Sequence, residues 1–313
     1  MKVSIIIPTL NRQNDLKNCL KSLENNTIRP NEVILIEQWD LEKTQRTIKP
    51  YHNILNIKLL YSKDKSLAKA RNIWIKHAQG ELIFFTDDDV VFDQKYIEIA
   101  IIFFEKNKEI LWATWKDILN TKSPNYVWMF FGFLFCLSKL NETWKILKSG
   151  HNTYYSYSDK ERYIESLCWC SMMFRREIIN KKTFNSNFTK WSFGEDVYWS
   201  YKIFKKFWPK CFKYVPQLKY KHYHSKESRL KNSSLIKMKI IYRYIFWKDN
   251  VYSNNIFNLF CYIWSQVWLL LLEFFYKKTQ MGLSIHINSY IYLIKNYKKI
   301  DKNTINYNSF ITK

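Results

Sequence analysis

Short apolar runs alternate with amphipathic segments over residues 1–115, and this alternation constrains the fold more than any other feature of the sequence. The runs VSIII, EVILI and ELIFF have the length and the β-branched or aromatic content of buried strands. After the first run, apolar residues recur with the spacing of one helix face, at Leu16, Cys19, Leu20 and Leu23. Repeated strand–helix–strand units predict an α/β fold, with a Rossmann-type, mostly parallel sheet flanked by helices.

Polar residues stand at the carboxyl ends of three predicted strands. They are Thr9 to Arg12, Glu37 with Gln38, and the consecutive aspartates Asp87, Asp88 and Asp89. Ligands bind beyond the carboxyl ends of strands in such sheets, so we expect these three segments to meet at one edge. Adjacent carboxylates repel one another unless a cation lies among them, and their oxygens suit Mg²⁺ or Mn²⁺. Solvated acids in a turn are the alternative that this motif alone leaves open.

Two later segments supply further candidate residues. GEDVYWSYKIFKKF, residues 194–207, has the pattern of a helix with Glu195 and Asp196 in its first turn. The stretches CFKYVP and LKYKHYHS predict two short strands that bring His222 and His224 to a strand end.

The character of the chain changes near Leu230, where it becomes basic and aromatic. The stretch at residues 256–278 holds 21 residues before its lysines, and its interior polar side chains are costly in hydrocarbon. We therefore predict a domain at 1–229 and a helical C-terminal region at 230–313 that associates with a membrane, in the interface or partly inserted. A helical cap on the core and an oligomer contact are the alternatives. The apolar segment at 126–137 is expected to be a core helix or an interfacial segment.

The formal net charge of +23, from 50 Lys and Arg against 27 Asp and Glu, favours anionic partners. The lysines are spread along the chain and form no RNP-like or zinc-finger pattern, so we expect an anionic membrane surface and no nucleic acid. The six cysteines form no CxxC pair and predict no zinc site. No apolar h-region of sufficient length follows the amino terminus, which predicts a cytoplasmic location.

Several longer segments resemble glycosyltransferase family 2, the inverting enzymes of the GT-A fold. VSIIIPTLNR is similar to the family's opening strand, and EVILIEQWD to its second strand and acidic end. SLAKARNIWIKHAQGELIFFTDDD resembles the helix bearing Ala-Arg-Asn, the following turn and the DxD-type cluster. WSFGEDVYWSYKIFK resembles the Glu-Asp segment, and YKHYHS the strand-end histidine. The resemblance covers residues 1–225 with the motifs in the family's order, and the tail looks like that of membrane-associated members.

The resemblance implies roles for the matching residues at the sheet edge. It assigns the donor nucleotide to Thr9, Arg12, Glu37, Gln38, Arg71 and Asp87. It assigns a metal, Mn²⁺ or Mg²⁺, to Asp88, Asp89 and His222, while His224 is left open as a second candidate. Gln38 stands where resembling members have the aspartate that reads uracil, so UDP is the first choice and GDP and dTDP stay open.

The resemblance also implies the catalytic and acceptor residues. Asp196 corresponds to the base that takes the proton of the acceptor hydroxyl, and Glu195 orients the acceptor or caps the helix. Trp191 is expected to stack on an acceptor sugar. Acids favour helix N-termini without any catalytic role, and tryptophan is common in this chain, so capping and core packing are the competing interpretations.

These features predict a metal-dependent, inverting single displacement from a nucleotide-diphosphate sugar to a glycan or a polyprenyl or other lipid-linked acceptor, in polysaccharide biosynthesis. The expected location is the cytoplasmic side of the cell membrane, peripheral or C-terminally anchored. A nucleic-acid-binding protein and a non-catalytic membrane scaffold with a degenerate glycosyltransferase fold are the alternatives. A nucleotidyltransferase would need a Gly-rich, Lys-bearing phosphate loop, and the chain has five glycines.

Overall fold

A computed structural model of the protein describes most of the chain. The described residues are 1–63, 66–74, 77–119, 126–139, 144–153, 159–167, 172–179, 184, 187–188, 193–207, 210–225, 232–277 and 280–312. The chain divides into two compact units. The first consists of residues 1–123, 156–190 and 203–229, and the second of 124–155, 191–202 and 230–313.

The elements follow the predicted alternation in the first unit and are helical in the second. The first unit contains β1 (Val3–Thr9), α1 (Gln13–Glu24), β2 (Glu32–Glu37), α2 (Leu41–Ile48), β3 (Ile57–Tyr61), α3 (Leu67–Trp74), β4 (Leu82–Phe85), β5 (Val90–Phe92), α4 (Tyr96–Lys106), β6 (Trp112–Asp117), β7 (Arg162–Tyr163), β8 (Met172–Arg175) and β9 (Phe212–His222). The second unit contains α5 (Tyr126–Leu134), the start of α6 (Glu195–Phe207), α7 (Asn232–Asn250), α8 (Ile256–Leu272), α9 (Gln280–Asp301) and α10 (Tyr307–Thr312).

One sheet joins all nine strands of the described residues, in the order β3-β2-β1-β4-β8-β6-β9-β5, with β7 on β9. The half from β3 to β4 is parallel, as the strand–helix alternation predicts. β8 then enters antiparallel to both β4 and β6, and β5 is antiparallel to β9. The predicted α/β fold is confirmed, and its sheet is parallel in the N-terminal half. The antiparallel pairs include β5, which lies within residues 1–115 but pairs with the distant β9.

The core lies where α1 and α4 cover the parallel strands. Every residue of β1 and β2 is buried, and the face of α1 that contains Leu16 and Leu20 packs on them. Tyr96 of α4 stacks on Phe84 of β4 at 5.3 Å between ring centroids, and adds aromatic area to this core. Rigid packing on this side fixes the strand ends at which the polar residues stand.

A buried polar clamp holds the amino ends of β1, β2 and β4 together. Glu32 accepts hydrogen bonds from Ser4 Oγ at 2.5 Å, Lys58 Nζ at 2.6 Å and the backbone N–H of Gln79 at 2.6 Å. Burial alone would raise the pKa of Glu32, but these donors lower it below its ordinary value. The N–H of Gly80 donates to Ser4 Oγ at 2.7 Å, and a Cβ on Gly80 would lie 2.6 Å from the backbone nitrogen of Ser4. Only glycine fits there.

One strand stands where two were predicted. CFKYVP and LKYKHYHS form the single strand β9, which continues through Pro216. Its pairing with β6 is irregular at this point, since Trp115 pairs with Val215 and the next residue, Lys116, pairs with Lys219. A proline cannot donate a ladder hydrogen bond, so the break that the sequence predicts appears as a bulge within one strand.

The second unit is built on α7, whose aromatic side chains reach several neighbouring segments. Tyr242 and Tyr244 donate hydrogen bonds to Asn308 and Asp301, each at 2.9 Å. Trp247 of the same helix donates from Nε1 to the carbonyl of Lys148 at 3.1 Å and stacks on Tyr262 of α8. The segment at 126–137 includes α5, and Phe135 just after it stacks on Trp268 of α8 at 4.2 Å.

Candidate donor and metal site

The topology of the first unit explains how the aspartates meet their partners. β4 ends at Phe85 and β5 begins at Val90, so Asp87, Asp88 and Asp89 occupy the turn between them. β1 runs parallel to β4, which brings its end at Thr9 next to this turn. β5 pairs antiparallel with β9, with Val90 directly opposite His222. The predicted meeting of three strand ends is therefore present, since the end of β1 lies beside the aspartate turn after β4 and Thr9 pairs with Glu37 at the end of β2. β9 adds His222 to this edge.

Asp88 is 2% exposed and is held by two side chains from the end of β1 and the loop after it. Thr9 Oγ1 donates to Asp88 Oδ2 at 2.7 Å, and Arg12 Nη1 to Asp88 Oδ1 at 3.0 Å. Burial raises the pKa of Asp88 to about 7, with the charge of Asp89 adding to the effect and Arg12 and Thr9 opposing it. These bonds fix the loop that follows β1 against the aspartate turn.

Asp87, Asp89 and His222 form a group whose ligand atoms all lie within 4.8 Å of one another. His222 Nε2 is 3.0 Å from Asp89 Oδ1 and 4.0 Å from Asp87 Oδ2. Burial alone would raise the pKa of Asp89, but the adjacent imidazole, the N–H of Ser225 and the charge of Arg12 lower it to about 2. Among the described residues no donor of good hydrogen-bond geometry reaches Asp89 Oδ1, so this buried oxygen suits a cation.

The predicted metal ligands are Asp88, Asp89 and His222, but in the structure Asp87 takes the place of Asp88, which Thr9 and Arg12 hold instead. The donor set of this group fits Mn²⁺ or Mg²⁺. Two carboxylates and one imidazole are ligands that Mn²⁺ accepts, and Mg²⁺ accepts the carboxylates. Arg71 on α3 is 1% exposed, and its Nη2 lies 3.5 Å from Asp87 Oδ1. Arg12 Nη1 lies 3.6 Å from Asp89 Oδ2. Arg12 and Arg71 place two fixed cations beside the aspartates, and guanidinium groups suit the oxygens of a diphosphate.

The loop after β2 is held by hydrogen bonds to the side chain of Glu37. Glu37 is fully buried, and its Oε1 accepts the backbone N–H groups of Gln38, Trp39 and Asp40 at 2.9, 2.7 and 3.3 Å. Its Oε2 accepts from Thr44 Oγ1 at 2.5 Å. These bonds hold the start of α2 in place. The N–H of Gln38 donates to the carbonyl of Thr9 at 3.2 Å, so the loop lies against the end of β1.

Glu195 and Asp196 begin α6, after Gly194 adopts a left-handed φ of 74°. Both side chains are buried, and Asp196 Oδ1 accepts the backbone N–H of Val197 at 2.8 Å. The predicted helix is present, and helix-capping chemistry accounts for acids at its start. These residues belong to the second unit, and their catalytic role stays a prediction. Trp191 lies outside the described residues.

One acidic residue near the cluster was not predicted. Asp117 ends β6, and its Oδ2 lies 3.9 Å from His224 Nε2. Asp117, His222 and His224 form a second group whose ligand atoms lie within 4.8 Å of one another. The sequence does contain a signal for Asp117, because this residue follows an apolar run just as Asp87 does. Its proximity to residues 222–224 depends on the parallel pairing of β6 with β9, which the alternation does not predict.

The family model described as "Glycosyl transferase family 2" matches residues 4–182, which is more than half of the chain. The chain therefore belongs to this family, and the predicted family is confirmed. Thr9, Arg12, Arg71 and the aspartates Asp87, Asp88 and Asp89 lie within the matched range, and Asp196 and His222 lie beyond it.

Relatives and solved structures agree with this assignment. An uncharacterized glycosyltransferase of Rickettsia bellii is 35% identical over 109 residues, 35% of this chain and 16% of that protein. The poly(ribitol-phosphate) beta-N-acetylglucosaminyltransferase TarS of Staphylococcus aureus is 28% identical over 129 residues, 40% of this chain and 22% of that protein. The matches thus span about a fifth of these relatives' length.

Two structures show the likeness of fold. The structure of S. aureus TarS 1–349 in complex with UDP-GlcNAc has a TM-score of 0.58 at 15% identity, over 92% of this chain and 79% of that chain. The structure of GalNAc-T7 with UDP, GalNAc and Mn²⁺ has a TM-score of 0.55 at 15% identity, over 80% and 50%. At this identity the likeness concerns the fold alone, and it confirms the predicted fold class.

Proposed function

We propose that the protein transfers a sugar from a nucleoside-diphosphate donor to a hydroxyl group of a glycan or lipid-linked acceptor, with inversion and with a divalent cation. The observation that carries this proposal is the group Asp87, Asp89 and His222 at the strand ends of a family 2 chain, with Arg12 and Arg71 beside it. Asp89 of this group is buried, whereas Asp87 and His222 are half-buried.

The side chains of the site would divide the work as follows. Asp87, Asp89 and His222 would hold Mn²⁺ or Mg²⁺, which supplies positive charge to the leaving diphosphate. Arg12 and Arg71 would bind phosphate oxygens, and Thr9 fixes the loop that contains Arg12 through Asp88. Asp196 would take the acceptor proton while the acceptor oxygen bonds to the anomeric carbon and the bond to the diphosphate oxygen breaks.

We propose a UDP-sugar as the donor. Support comes from the similar structures, in which TarS is in complex with UDP-GlcNAc and GalNAc-T7 with UDP, GalNAc and Mn²⁺. Gln38, 5% exposed beside the end of β1, offers one amide donor and one acceptor to a base edge. GDP and dTDP sugars are the alternatives.

A thermal-shift panel tests the donor site. Wild type and Asp89→Ala are heated with UDP, UDP-GlcNAc, GDP or dTDP, each with Mn²⁺, with Mg²⁺ or with a chelator. A ligand that binds the native state raises Tm by mass action, by about 2.7 kcal/mol of stability at 100 times its Kd. We expect a cation-dependent rise with UDP and its sugar that the variant loses. A folded wild type with no response to any nucleotide would refute the proposed donor site.

We further propose that the second unit binds a membrane surface from the cytoplasmic side. Helix residues Ile256–Phe275 are long and apolar enough to cross a membrane by length and composition, but this criterion is weak support. One face of α8 packs on protein, where Tyr262 stacks on Trp247 and Ser265 and Gln266 are buried. The opposite face is exposed and apolar, with Ile256, Phe257, Phe260, Ile263, Trp264, Val267 and Leu271.

Helix α5 extends the same kind of surface. Its exposed apolar side chains are Tyr126, Val127, Phe130, Phe131, Phe133 and Leu134. It is held near α8 by Trp264, which donates from Nε1 to the carbonyl of Leu134 at 3.0 Å. The region 230–313 contains twelve Lys and Arg against three acidic residues. One apolar helix face with abundant basic residues is the pattern of a helix that lies in the interface of an anionic bilayer.

A further inference from the structure

A second cluster of metal-ligating side chains lies beside the donor site. Asp117 ends β6 and is 5% exposed, His222 ends β9, and His224 follows two residues later. Asp117 Oδ1 accepts the backbone N–H of Leu119 at 3.0 Å and that of His222 at 3.3 Å. These bonds fix the carboxylate relative to the end of β9.

The two histidines are brought together by an uncommon backbone conformation. His224 has a φ of 49°, in the left-handed region that few non-glycine residues adopt. Its ring lies over that of His222 with 3.9 Å between centroids. Strained backbone of this kind is often retained where a side chain must point in one direction. Here it accompanies a position of His224 in which Nε2 lies 3.9 Å from Asp117 Oδ2.

The spacing of the three side chains suits one ion. Their ligand atoms lie within 4.8 Å of one another, and His224 Nε2 is 3.9 Å from Asp117 Oδ2. Two ligands of a tetrahedral zinc ion lie about 3.4 Å apart, given metal–ligand bonds of about 2.0–2.1 Å. The side chain of His224 is 57% exposed, so a small rotation of its ring closes this difference.

The chemistry of this cluster differs from that of the donor site. Two imidazoles and one carboxylate favour borderline ions such as Zn²⁺, whereas two carboxylates and one imidazole suit Mn²⁺. His222 belongs to both groups. A neutral imidazole has one nitrogen with a free lone pair, so His222 can bind only one of the two ions at a time.

We propose that Asp117, His222 and His224 form an inhibitory cation site for a borderline d-block ion such as Zn²⁺, and that its occupation withdraws His222 from the donor site. The inference rests on the proposed function, since the inhibition acts through the donor metal. The cysteines predict no zinc site, and this one is formed by a strand-end aspartate and an H-x-H segment 105 positions away along the chain.

Isothermal titration of the full-length protein with ZnCl₂ tests the existence of the site. Wild type, His224→Gln and the control His52→Gln, an exposed histidine of the first unit, are compared. We expect zinc affinity to fall in His224→Gln by at least about tenfold. Loss of a residue that only hydrogen-bonds to a metal ligand already costs about tenfold or more, and loss of a ligand itself should cost no less. The control should match wild type. Equal zinc affinity in all three proteins would overturn the proposal.

A competition experiment tests the inhibition. The Mn²⁺-dependent rise of Tm with UDP is measured while ZnCl₂ is added, again for wild type, His224→Gln and His52→Gln. Zinc should abolish the rise in wild type and in the control at concentrations about tenfold lower than in His224→Gln. The same zinc sensitivity in all three would mean that zinc acts at Asp87 and Asp89 directly, and would refute the inhibitory site.

The two experiments separate this proposal from the proposed function. Asp87→Asn should lose the response to Mn²⁺ and UDP but keep wild-type zinc affinity, because Asp87 is not in the second group. If wild type shows no nucleotide response, the donor assignment fails, and the zinc titration of His224→Gln still decides whether the second site exists. Loss of zinc binding in Asp87→Asn would place the ion in the donor group and overturn the second site.

Discussion

Thr9 illustrates how a single hydroxyl group organises this site. Its Oγ1 donates to the buried Asp88 at 2.7 Å, and Asp88 in turn binds Arg12. The hydroxyl is thus a positioning group for the guanidinium, which faces both Asp88 and Asp89. A valine of almost the same shape would keep the packing of β1 and remove only this bond.

We expect Thr9→Val to lower the free energy of unfolding by about 1–3 kcal/mol, because it leaves a buried carboxylate with one donor fewer. Urea unfolding measures the change. Thr47→Val, at a half-buried position on α2, removes a hydroxyl without a buried carboxylate partner and should change stability by less than about 0.5 kcal/mol. Equal losses of stability in both variants would show that the hydrogen bond from Thr9 to Asp88 does not stabilise the protein.

Asp196 allows a test of catalysis that is separate from donor binding. Asp196→Asn keeps the size of the side chain and its acceptor oxygen for the N–H of Val197, but it cannot take a proton. We expect sugar transfer to fall by about 10²–10⁴-fold, with the UDP-dependent rise of Tm unchanged. Full transfer activity, or loss of nucleotide binding, would exclude the role of base.

At the scale of elements, the Ser4–Glu32–Gly80 clamp joins three strands at the edge opposite the site. We expect Gly80→Ala to destabilise the protein by about 1–3 kcal/mol, since its methyl group would meet the backbone nitrogen of Ser4 at 2.6 Å. Gly80 has no left-handed φ, so backbone strain does not add to the effect of this contact. A variant as stable as wild type would show that the strands move apart easily at this point. Thermal unfolding measures the loss.

The same clamp predicts a pH dependence. The pKa of Glu32 is lowered in the folded state, so the group contributes stability above its unfolded pKa and loses it as pH falls through the folded value. Glu32→Gln should therefore cost about 1–3 kcal/mol at pH 7 and progressively less below about pH 4.5. Urea unfolding of both proteins from pH 7 to pH 3 measures this, and a constant difference would contradict the assignment.

The elements of the site differ in how far the sequence predicts them. β1, β2 and β4 follow from local patterns, and so do the polar residues at their ends. The meeting of His222 with Asp89 requires the antiparallel pairing of β5 and β9, which joins segments distant along the chain. The sequence analysis did not predict Asp117, because its proximity to His222 and His224 also depends on a pairing between distant segments, here β6 and β9. Glu37 looks like a ligand residue by position, but its local hydrogen bonds with the start of α2 are visible only in three dimensions.

At the scale of the whole molecule, the helical second unit is where sequence reasoning was least decisive. Apolar helices such as α5 and α8 have the same composition whether they fill a core or face a bilayer. The exposed fractions exclude burial in a core of the described residues at two of these positions, since Tyr126 is 76% exposed and Ile256 is 83% exposed. The domain boundary at residue 229 and the attachment to a membrane stay predictions.

Vesicle co-sedimentation tests the membrane surface. The double variant Phe130→Glu/Phe133→Glu should bind vesicles of mixed anionic and zwitterionic lipid at least about tenfold more weakly than wild type, because charges in hydrocarbon are costly. The control Ile28→Glu/Ile54→Glu changes two similarly exposed residues of the first unit, at 41% and 40% exposure, and should bind normally. Equal binding of both variants would refute a role for α5.

The hydrogen bond from the N–H of Ser225 to Asp89 Oδ2 joins positions 136 residues apart. Contacts between positions so far apart form late in folding, because closing the long intervening loop costs conformational entropy that only a largely ordered chain offsets. A growing chain that has folded β1 to β5 would already display its three aspartates, yet it would lack the imidazole that completes the group. If the proposed donor site is correct, a chain that ends before β9 would bind the cation and the nucleotide more weakly than the full chain.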